Sequence, residues 1–556
     1  MIAISHSFLV HHPFSSLSGF LLSVPAFFLY AEIHYKFRGI YSRLRHSFPE
    51  ILADAPYRVE PGKKIPLLIL VKDAHQFPIE LIRIEADARR GQSQIFHKNL
   101  LTKPLVIHLP FWYKVIELDA PPGISGTIDL QVAFTVKRKG KTSHFFNDNY
   151  IGTSHAPLRI RLSPHPLPTL PGLFYGDLHV HSNYTNDQVE FGAPPPTIQK
   201  AANAMGLSFV AITDHSYDMD DYPDNYLKND PRQQKWNQFQ KEVAGLNSQP
   251  NGKQTLLIAG EEVSARNNRG RTIHFLILND PTFYKGTGDG AEKWFIGTRS
   301  ENSIPEIMEK LPDSAVAVAA HPATPIPRLE YLLLNRGKWE KPDSTHPRLS
   351  GFQVLNGEVD DGFRDGLKLW KWSLSRGEHK YIYAGTDAHG NFNRFRQIGI
   401  PFFKMTEMEN QILGEKRTGV FLDHLSLSNI IKALKSGNCF ITDGPALQLF
   451  AKNADQMTVQ MGNIISGTAF ELSARMVSSP EFGKFQKIRL LLGRIKKADD
   501  KIRETSLRFR QTETSEFDVT IFRKLVLKEP EAYLRIEVQT VNGKIAYSNP
   551  IWLQKK

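Results

Sequence analysis

Two stretches of the chain alternate apolar and polar residues in short runs, the pattern of strands that bury one face. The first, residues 46–165, contains the runs IPLLILV, IELIRIEA, PLVIHL and TIDLQVAFTV, separated by turn sequences such as EPGKK, APPGISG and KRKGK. The second begins near residue 445 and contains FELSARMV, KIRLLLG, FDVTIF and YLRIEVQTV. The pattern predicts β-sandwich-like domains over residues 46–165 and 441–556.

The segment between them, residues 166–440, alternates strand-like runs with helix-like ones. The segment begins within a Pro-rich stretch, LSPHPLPTLPGL at 162–173, that has the composition of a linker. Within the segment, PPPTIQKAANAMG has the apolar spacing of a helix and precedes the strand-like run LSFVAITDH. Such alternation predicts an α/β fold, either a parallel barrel or a doubly wound sheet. In both folds the functional side chains lie at the carboxyl ends of the strands.

At least five apolar runs of this segment end in histidine, aspartate or glutamate. In GDLHVHS, His179 and His181 are two residues apart, so on a strand they project from the same face. Four later runs end in the same way: LSFVAIT at Asp214 and His215, QTLLIAG at Glu261 and Glu262, AVAVAA at His321, and YIYAGT at Asp387 and His389. The run TIHFLIL adds His274 near its start. Imidazoles and carboxylates are ligands of divalent cations, so the pattern predicts a metal centre.

Composition narrows the choice of ligands. A chain of 556 residues is too long for one compact core, so several domains are expected. The single cysteine, Cys439, excludes both a disulfide framework and a cysteine-rich zinc site. The net charge of +12 is compatible with a small anionic substrate. Nucleic acid is a weaker alternative, because the basic residues are dispersed and no nucleic-acid-binding motif is present.

The N-terminus is apolar. Residues 2–31 contain no Lys, Arg, Asp or Glu, and basic residues follow at Lys36, Arg38, Arg43 and Arg45. A cleavable signal peptide would place its positive charge before the apolar core, not after it. Residues 1–45 are therefore interpreted as an apolar leader with a basic flank. The prediction is a cytoplasmic protein, with membrane association through residues 14–31 as the alternative to a buried leader.

The ordered series HxH, TDH, GxE, a single His, AHP and TDAH resembles the motif series of the PHP (polymerase and histidinol phosphatase) superfamily. The resemblance covers roughly residues 174–440. The phrases YGDLHVHS, SGNCFITDGP at 436–445 and AYSNPI at 546–551 look most like the carbaryl-hydrolase-type (CehA/McbA-like) branch. The resemblance implies a distorted (β/α)7 PHP-type barrel over residues 166–440, flanked by the two β-sandwich-like domains.

The resemblance also implies two to three divalent ions of zinc, manganese or iron. One ion would be held by His179, His181, Glu262 and Asp387. A second would share Glu262 and add His274 and His321. A third would use His215, His389 and a ligand from the loop after His181. The superfamily often has Asp or His five residues after the second motif histidine, but that position is Asn186 here, so Asp187 is the preferred ligand.

The function that this resemblance implies is metal-dependent hydrolysis by a metal-bridged hydroxide, most directly of a phosphate ester. In that interpretation Asp187, His215 and His389 are the candidate catalytic residues for proton transfer. Carbamate, ester or amide hydrolysis and nuclease activity are the alternative reactions. A metal-stabilised module without catalytic activity is the alternative of another class.

Overall fold

The computed structural model describes residues 48–120, 122–150, 153–185, 192–222, 225–249, 254–286, 288, 299–399, 404–496 and 501–556. The predicted leader and the predicted ligand Asp187 lie outside these residues. Among the described residues, no helix is both long and apolar enough to cross a bilayer.

The N-terminal region consists of two β-sheets around one apolar core. β1, β3 and β7 form one sheet, and β2, β10, β8, β4 and β5 form the other, with β6 paired to β4 and β9 to β8. Its strands are β1 Glu50–Asp54, β2 Arg58–Val59, β3 Ile65–Lys72, β4 Ile79–Arg90, β5 Ser93–Asn99, β6 Leu105–Ile107, β7 Phe111–Leu118, β8 Gly126–Arg138, β9 Lys141–Phe146 and β10 Leu158–Leu162. The alternating burial along β4 and β8 explains their alternating sequences.

The middle region mixes strands with helices. Its first half contains β11 Leu173–Val180, α1 Pro195–Met205, β12 Phe209–Ile212, α2 Ser216–Met219, β13 Asp221–Tyr222, β14 Asn225–Asn229, α3 Gln234–Asn247, β15 Leu256–Arg266 and β16 Thr272–Leu278. Its second half contains α4 Ile304–Lys310, β17 Val316–Ala319, α5 Arg328–Leu333, α6 Lys341–Ser344, β18 Gly351–Leu355, α7 Asp361–Ser375, β19 Tyr381–Ala384, β20 Phe395–Gly399, β21 Lys404–Met408, β22 Arg417–Phe421, α8 Leu427–Ser436 and β23 Cys439–Thr442.

Helix α1 shows how local sequence sets these boundaries. Pro195 occupies the start of the helix, where its fixed φ is compatible and its missing N–H removes no helical bond. Gly206 closes the helix with φ of +87° in the left-handed region, and its N–H bonds back to the last turn. The helix predicted from PPPTIQKAANAMG is therefore present, and β12 follows it directly.

The C-terminal region is built of strands. They are β24 Ala446–Asn453, β25 Thr458–Gln460, β26 Ile464–Ser466, β27 Ala469–Val477, β28 Phe485–Arg494, β29 Glu504–Leu507, β30 Arg510–Ser515, β31 Asp518–Val526, β32 Glu531–Thr540, β33 Ile545–Ser548 and β34 Ile551–Gln554. β25, β24, β27, β31 and β30 form a separate sheet. The other strands continue the sheet of the middle region.

A single large sheet joins the middle and C-terminal regions. Its order is β19-β18-β17-β16-β15-β12-β11-β22-β23-β33-β32-β28-β29, with β34 paired to β32 and β26 paired to β34. The phrases SGNCFITDGP and AYSNPI form its junction, because β23 pairs antiparallel with β33. Asn549 strengthens the junction by bonding to the backbone of Ile382 and of Cys439.

The predicted (β/α)7 barrel is wrong. The described chain is mainly strand with few helices, and the middle region forms a curled half-barrel within the large sheet. β15, β16 and β17 pair antiparallel, and β11 pairs antiparallel with β22. Alternating strand and helix signals do not specify pairing direction. Here a tight turn around Asn267, whose side-chain oxygen accepts from the N–H groups of Arg269 and Arg271, returns β16 directly alongside β15.

Candidate metal centre

Eight of the nine predicted ligands lie in one cluster, on strands of the curled sheet or in the loops that follow them. They are His179, His181, His215, Glu262, His274, His321, Asp387 and His389. Three groups of these residues place their ligand atoms within 4.8 Å of one another: His179, His181, Glu262 and Asp387; His215, Glu262 and His274; and His181, His215 and His389. Whether these residues bind metal stays a prediction.

The end of β11 and the loop after β19 are joined by backbone contacts. The N–H of His181 donates to the carbonyl of Ala388, and the N–H of Asp387 donates to the carbonyl of His179, both at 2.8 Å. Leu178 and Val180 alternate with the two histidines and are buried in separate apolar clusters. The alternation in GDLHVHS therefore does two things: the apolar side chains hold the strand, and both imidazoles face the same side.

Glu262 is at the centre of the cluster. Its Oε2 atom lies 3.0 Å from His215 Nδ1 and 3.4 Å from both His179 Nε2 and His181 Nε2. Its Oε1 atom lies 2.6 Å from His274 Nδ1 and 3.1 Å from His321 Nε2. One carboxylate thus faces five imidazoles, which is the arrangement expected of a ligand shared between ions.

The hydrogen bonding at this carboxylate fits a cation site. Although three imidazole nitrogens approach Glu262 Oε2, among the described residues no group makes a geometrically acceptable hydrogen bond to it. His215 Nδ1 is likewise buried without such a bond. Burying a charged oxygen without a hydrogen bond is costly. Lone pairs that face each other across a short gap are stabilised by a cation between them, so these residues fit a divalent ion.

The carboxylates and imidazoles perturb one another's acidity. Burial alone would raise the pKa of Glu262 and of Asp387, but the neighbouring histidines, His274 and His179 foremost, hold both well below the usual range. Burial alone would lower the pKa of His179, but Asp387 and Glu262 outweigh it and raise this pKa to about 9. Burial and the neighbouring imidazoles of His389 and His215 lower the pKa of His181 well below normal. The pocket therefore stabilises both carboxylate charges and favours a cation between them.

Two of the clustered residues have strained backbone conformations. His321 has φ of +25° and Asp387 has φ of +55°, in the region that residues with a side chain rarely adopt. Each lies in the loop just after a buried strand, His321 after β17 and Asp387 after β19. Strain of this kind persists where the surrounding structure fixes it, and it is found at functional sites.

The cluster opens to solvent on one side. The side chains of His179, His181 and Glu262 have no exposure, whereas those of His215, His321 and Asp387 are 11%, 13% and 14% exposed. A substrate would therefore reach the centre over these three residues.

Several residues that fix the imidazoles were missed by sequence analysis. Gln353 Oε1 lies 2.9 Å from His179 Nδ1. Thr185 Oγ1 donates to Asp214 at 2.8 Å, so it can only accept from His181 Nδ1, which lies 3.4 Å away. Glutamine and threonine inside strand or loop sequences carry no signal of such a role. Only their position next to the histidines reveals it.

Asp177 and Asp214 lie close to candidate ligands in the sequence. The structure shows that neither accepts a hydrogen bond from a ligand imidazole. Asp177 accepts from the N–H groups of His179, Thr386 and Gly414 and from the Thr386 hydroxyl. Asp214 accepts from the N–H and hydroxyl groups of both Ser182 and Thr185. Both carboxylates therefore position the loops that carry ligands.

His274 has a further partner. Its Nε2 atom lies 2.5 Å from a guanidinium nitrogen of Arg336, which has only donors. His274 Nε2 must therefore accept, which leaves a proton of the neutral ring on Nδ1, facing Glu262. Binding of an ion at Nδ1 would require this proton to leave.

Other candidates lie outside the cluster. Glu261 points away from it, accepting from Tyr284 N–H and from the Ser216 hydroxyl, and burial raises its pKa well above the usual range. Four arginines of the middle region, which could bind a substrate anion, are engaged by carboxylates outside the cluster: Arg266 with Glu306, Arg364 with Asp361, Arg394 with Glu407, and Arg396 with Asp148.

Gly385 permits the close approach of β19 and β11. A Cβ atom at this position would lie 2.7 Å from both Cβ and the backbone nitrogen of His179, and backbone cannot move aside cheaply. We expect Gly385→Ala to destabilise the protein by about 1–3 kcal/mol and to weaken metal binding, because β11 must shift. Urea unfolding and zinc titration would measure these effects.

The matched control is Gly245→Ala in α3, where a Cβ atom would meet nothing within 4 Å. That change should stabilise the helix by about 0.5–1 kcal/mol and leave zinc affinity unchanged. Equal zinc affinity in Gly385→Ala and the wild type would contradict the packing argument.

Comparison with known proteins gives only distant likenesses. No family model matches the chain, and no curated protein matches it. A solved structure of a putative beta-galactosidase from Bacteroides fragilis is 7% identical, with 91% of this chain and 73% of that chain covered and a TM-score of 0.18. A Parabacteroides merdae beta-glucuronidase is 10% identical, with 92% of this chain and 66% of that chain covered and a TM-score of 0.17. A glycosyl hydrolase family 2 member from Bacteroides cellulosilyticus is 10% identical, with 91% and 78% covered and a TM-score of 0.18.

These comparisons correct the predicted family. The solved structures found are glycoside hydrolases, and the comparisons provide no support for the PHP superfamily or its carbaryl-hydrolase-type branch. The predicted membership was wrong, and so was the phosphoesterase function that rested on it. The short histidine and aspartate phrases are local and do not specify a global fold. TM-scores of 0.17 and 0.18 are in turn too low to transfer the fold or activity of the neighbours to this chain.

Proposed function

We propose that this chain is a divalent-metal-dependent hydrolase acting on a small-molecule substrate. The observation that carries the proposal is the buried centre in which Glu262 faces five imidazoles. Two of these imidazoles also face Asp387, whose Oδ1 atom lies 3.3 Å from His179 Nε2 and 3.1 Å from His181 Nε2. The predicted phosphate-ester substrate is not part of this proposal. Two to three ions of zinc, manganese or iron fit the imidazole and carboxylate ligands.

The residues have separate tasks in this proposal. His179, His181, Glu262 and Asp387 would hold one ion, and of these four only Asp387 is partly exposed. Glu262 would also be a ligand of a second ion, together with His274 and either His321 or His215. A bound divalent ion would act as a Lewis acid and activate water for attack.

His215 and His389 are the proposed residues for proton transfer. His389 Nδ1 lies 3.0 Å from the carbonyl of Asp387 and donates to it, which leaves Nε2 of the neutral ring as a base. His215 is partly exposed at the open side, where its ring stacks on Tyr217 at 4.6 Å. Tyr217 thus holds the ring at the place where a leaving group would depart. Asp187, the third residue proposed for this task, lies outside the described residues.

The test is metal content together with hydrolysis. Wild type, His179→Ala and Asp387→Ala would be purified without chelator, and bound metal would be counted by elemental analysis. Each would then be assayed with a panel of aryl glycosides, carboxyl esters, amides and carbamates. Bound ions and hydrolysis of one class, both lost in the variants, support the proposal. Wild type without bound metal after reconstitution overturns it, and bound metal without hydrolysis favours a non-catalytic module.

Metal binding should release protons and strengthen with pH. Because the pKa of His179 is raised to about 9, the metal-free ring carries a second proton at pH 7, and an ion must displace it. Affinity should therefore rise with pH up to about 9 and level off above it. Calorimetric zinc titrations in buffers of different ionisation enthalpy would count the released protons. An affinity that is constant from pH 6 to about 9 would contradict this assignment.

A further inference from the structure

We propose that Gln353 is a positioning residue of the metal centre, holding a proton on His179 Nδ1 so that the Nε2 lone pair faces the ions. The inference rests on the proposed function, because the direction of this lone pair matters only where an ion binds. Gln353 lies on β18, is completely buried and touches no solvent.

The orientation of the Gln353 amide is fixed without reference to His179. Its nitrogen lies 3.0 Å from the carbonyl oxygen of Gly385, which can only accept. Its oxygen lies 3.4 Å from the backbone N–H of His321, which can only donate. If the amide nitrogen and oxygen were exchanged, the nitrogen would face the N–H of His321, which is also a donor, and the oxygen would face the carbonyl of Gly385, which is also an acceptor. The oxygen must therefore face His179.

The tautomer of His179 follows from this orientation. The Gln353 oxygen has no proton to give, so His179 Nδ1, 2.9 Å away, must donate to it. A neutral imidazole has one proton, and with that proton on Nδ1 the Nε2 atom is left as a lone pair. Nε2 lies 3.4 Å from Glu262 Oε2 and 3.3 Å from Asp387 Oδ1, inside the predicted ligand set. Metal-bound histidines are commonly oriented by such a bond to the other ring nitrogen.

The same amide also touches segments that carry two other predicted ligands. It bonds to the backbone of His321, which has a strained φ, and to Gly385, two residues before Asp387. Its nitrogen also donates to Asn356 at 3.1 Å, and Asn356 in turn donates to Asp387 Oδ2 at 3.4 Å. Gln353 thus connects three of the proposed ligands: His179, His321 and Asp387.

The experiment uses the full chain with ¹⁵N-labelled histidine and three variants. Gln353→Leu removes both the acceptor and the donors, and Gln353→Glu keeps an acceptor opposite His179 while losing the donors. Gln199→Leu is the matched control, because Gln199 is 1% exposed, donates to the carbonyl of Thr255 and accepts from the Gln254 amide, neither of which is a proposed ligand. Zinc affinity is measured by competition with a chromophoric chelator. Long-range ¹H–¹⁵N spectra, assigned with His179→Ala, report which ring nitrogen of His179 carries a proton.

We expect Gln353→Leu to bind zinc about 10–100-fold more weakly. Gln353→Glu should lie closer to the wild type than Gln353→Leu, and Gln199→Leu should equal the wild type. In the wild type, His179 Nδ1 should be protonated with and without zinc. A bare Nδ1 in the wild type, a measurement that needs no variant to fold, overturns the proposal, as does wild-type affinity in Gln353→Leu.

Failure of the proposed function has a different signature. If the wild type binds no zinc, the metal centre is refuted, and spectra of the metal-free protein, recorded at a pH high enough for the His179 ring to be neutral, decide the role of Gln353 alone. A Nδ1 proton that is present in the wild type and lost or rapidly exchanging in Gln353→Leu supports its control of the tautomer. An Nδ1 proton that is unchanged in Gln353→Leu overturns it.

Discussion

Glu262→Gln is expected to cost the protein most of its bound metal. The carboxylate belongs to two of the three groups of ligand atoms that lie within 4.8 Å of one another. An amide presents a weaker oxygen donor and a nitrogen that repels a cation, so both groups lose their shared ligand. Because changes to residues outside the ligand shell already weaken binding 10–100-fold, we expect the loss at this position to exceed about 100-fold. The group of His181, His215 and His389 does not contain Glu262 and should keep residual affinity.

Glu261→Gln is the matched control for this change. Glu261 is the adjacent residue and is equally buried, but its side chain bonds to Tyr284 and Ser216. Burial raises its pKa well above the usual range and so disfavours its charged form, which makes an amide a conservative replacement. Elemental analysis at a buffered free zinc concentration, with chelator competition, would compare the variants. Full metal content in Glu262→Gln, or equal losses in both variants, would refute the central role of Glu262.

The proximity of the candidate ligands could be predicted from the sequence because it depends on local rules. A strand with period two places His179 and His181 on one face, and apolar runs that stop before His215, His321 and Asp387 place those residues just after strand ends, whereas Glu262 lies within β15, which continues to Arg266. The choice of Glu262 over Glu261 rested on the spacing of the resemblance, and the structure does turn Glu262 toward the imidazoles. These steps need no knowledge of which strands pair.

The architecture could not be predicted in the same way, because pairing direction is decided by turns and long-range contacts. The antiparallel return of β16 depends on the short turn at Asn267, and the β23–β33 junction joins residues about a hundred positions apart. The contact of Gln353 with His179 could not be predicted from the sequence either. A glutamine in a buried strand predicts nothing until the strand beside it is known to carry His179.

Arg58→Met is expected to destabilise the protein by about 3–5 kcal/mol, because it leaves buried carboxylates without their cation. Arg58 is 1% exposed on β2, and its guanidinium contacts Glu481 at 2.9 Å and Glu60 at 2.5 Å. It also donates to the backbone carbonyls of Met205 and His165. The arginine therefore ties the N-terminal sheets to α1, to the linker and to the loop after β27.

The loss of stability caused by Arg58→Met should depend on pH in a defined direction. Burial would raise the pKa of Glu481, but Arg58 outweighs it and holds the pKa below its ordinary value of 4.5. A carboxyl whose folded-state pKa is lowered contributes stability above its unfolded pKa and loses that contribution as the pH falls through the folded-state value. Without Arg58 this contribution shrinks, because only Arg161, 3.4 Å away, and the Ser163 hydroxyl remain to lower the pKa of Glu481. The difference between variant and wild type should therefore be largest near pH 7 and shrink below pH 4.5.

Urea unfolding at pH 7 and at a pH below the Glu481 transition would measure this dependence. Arg83→Met is the control, since Arg83 is 56% exposed and its contact with Glu85 at 3.5 Å is screened by water. The double variant Arg58→Met with Glu481→Gln should recover part of the lost stability, because it removes the buried charge that the single variant strands. The proposed role of Arg58 would be contradicted if Arg58→Met were as stable as Arg83→Met. It would also be contradicted if the double variant lost more stability than its two single changes lose together.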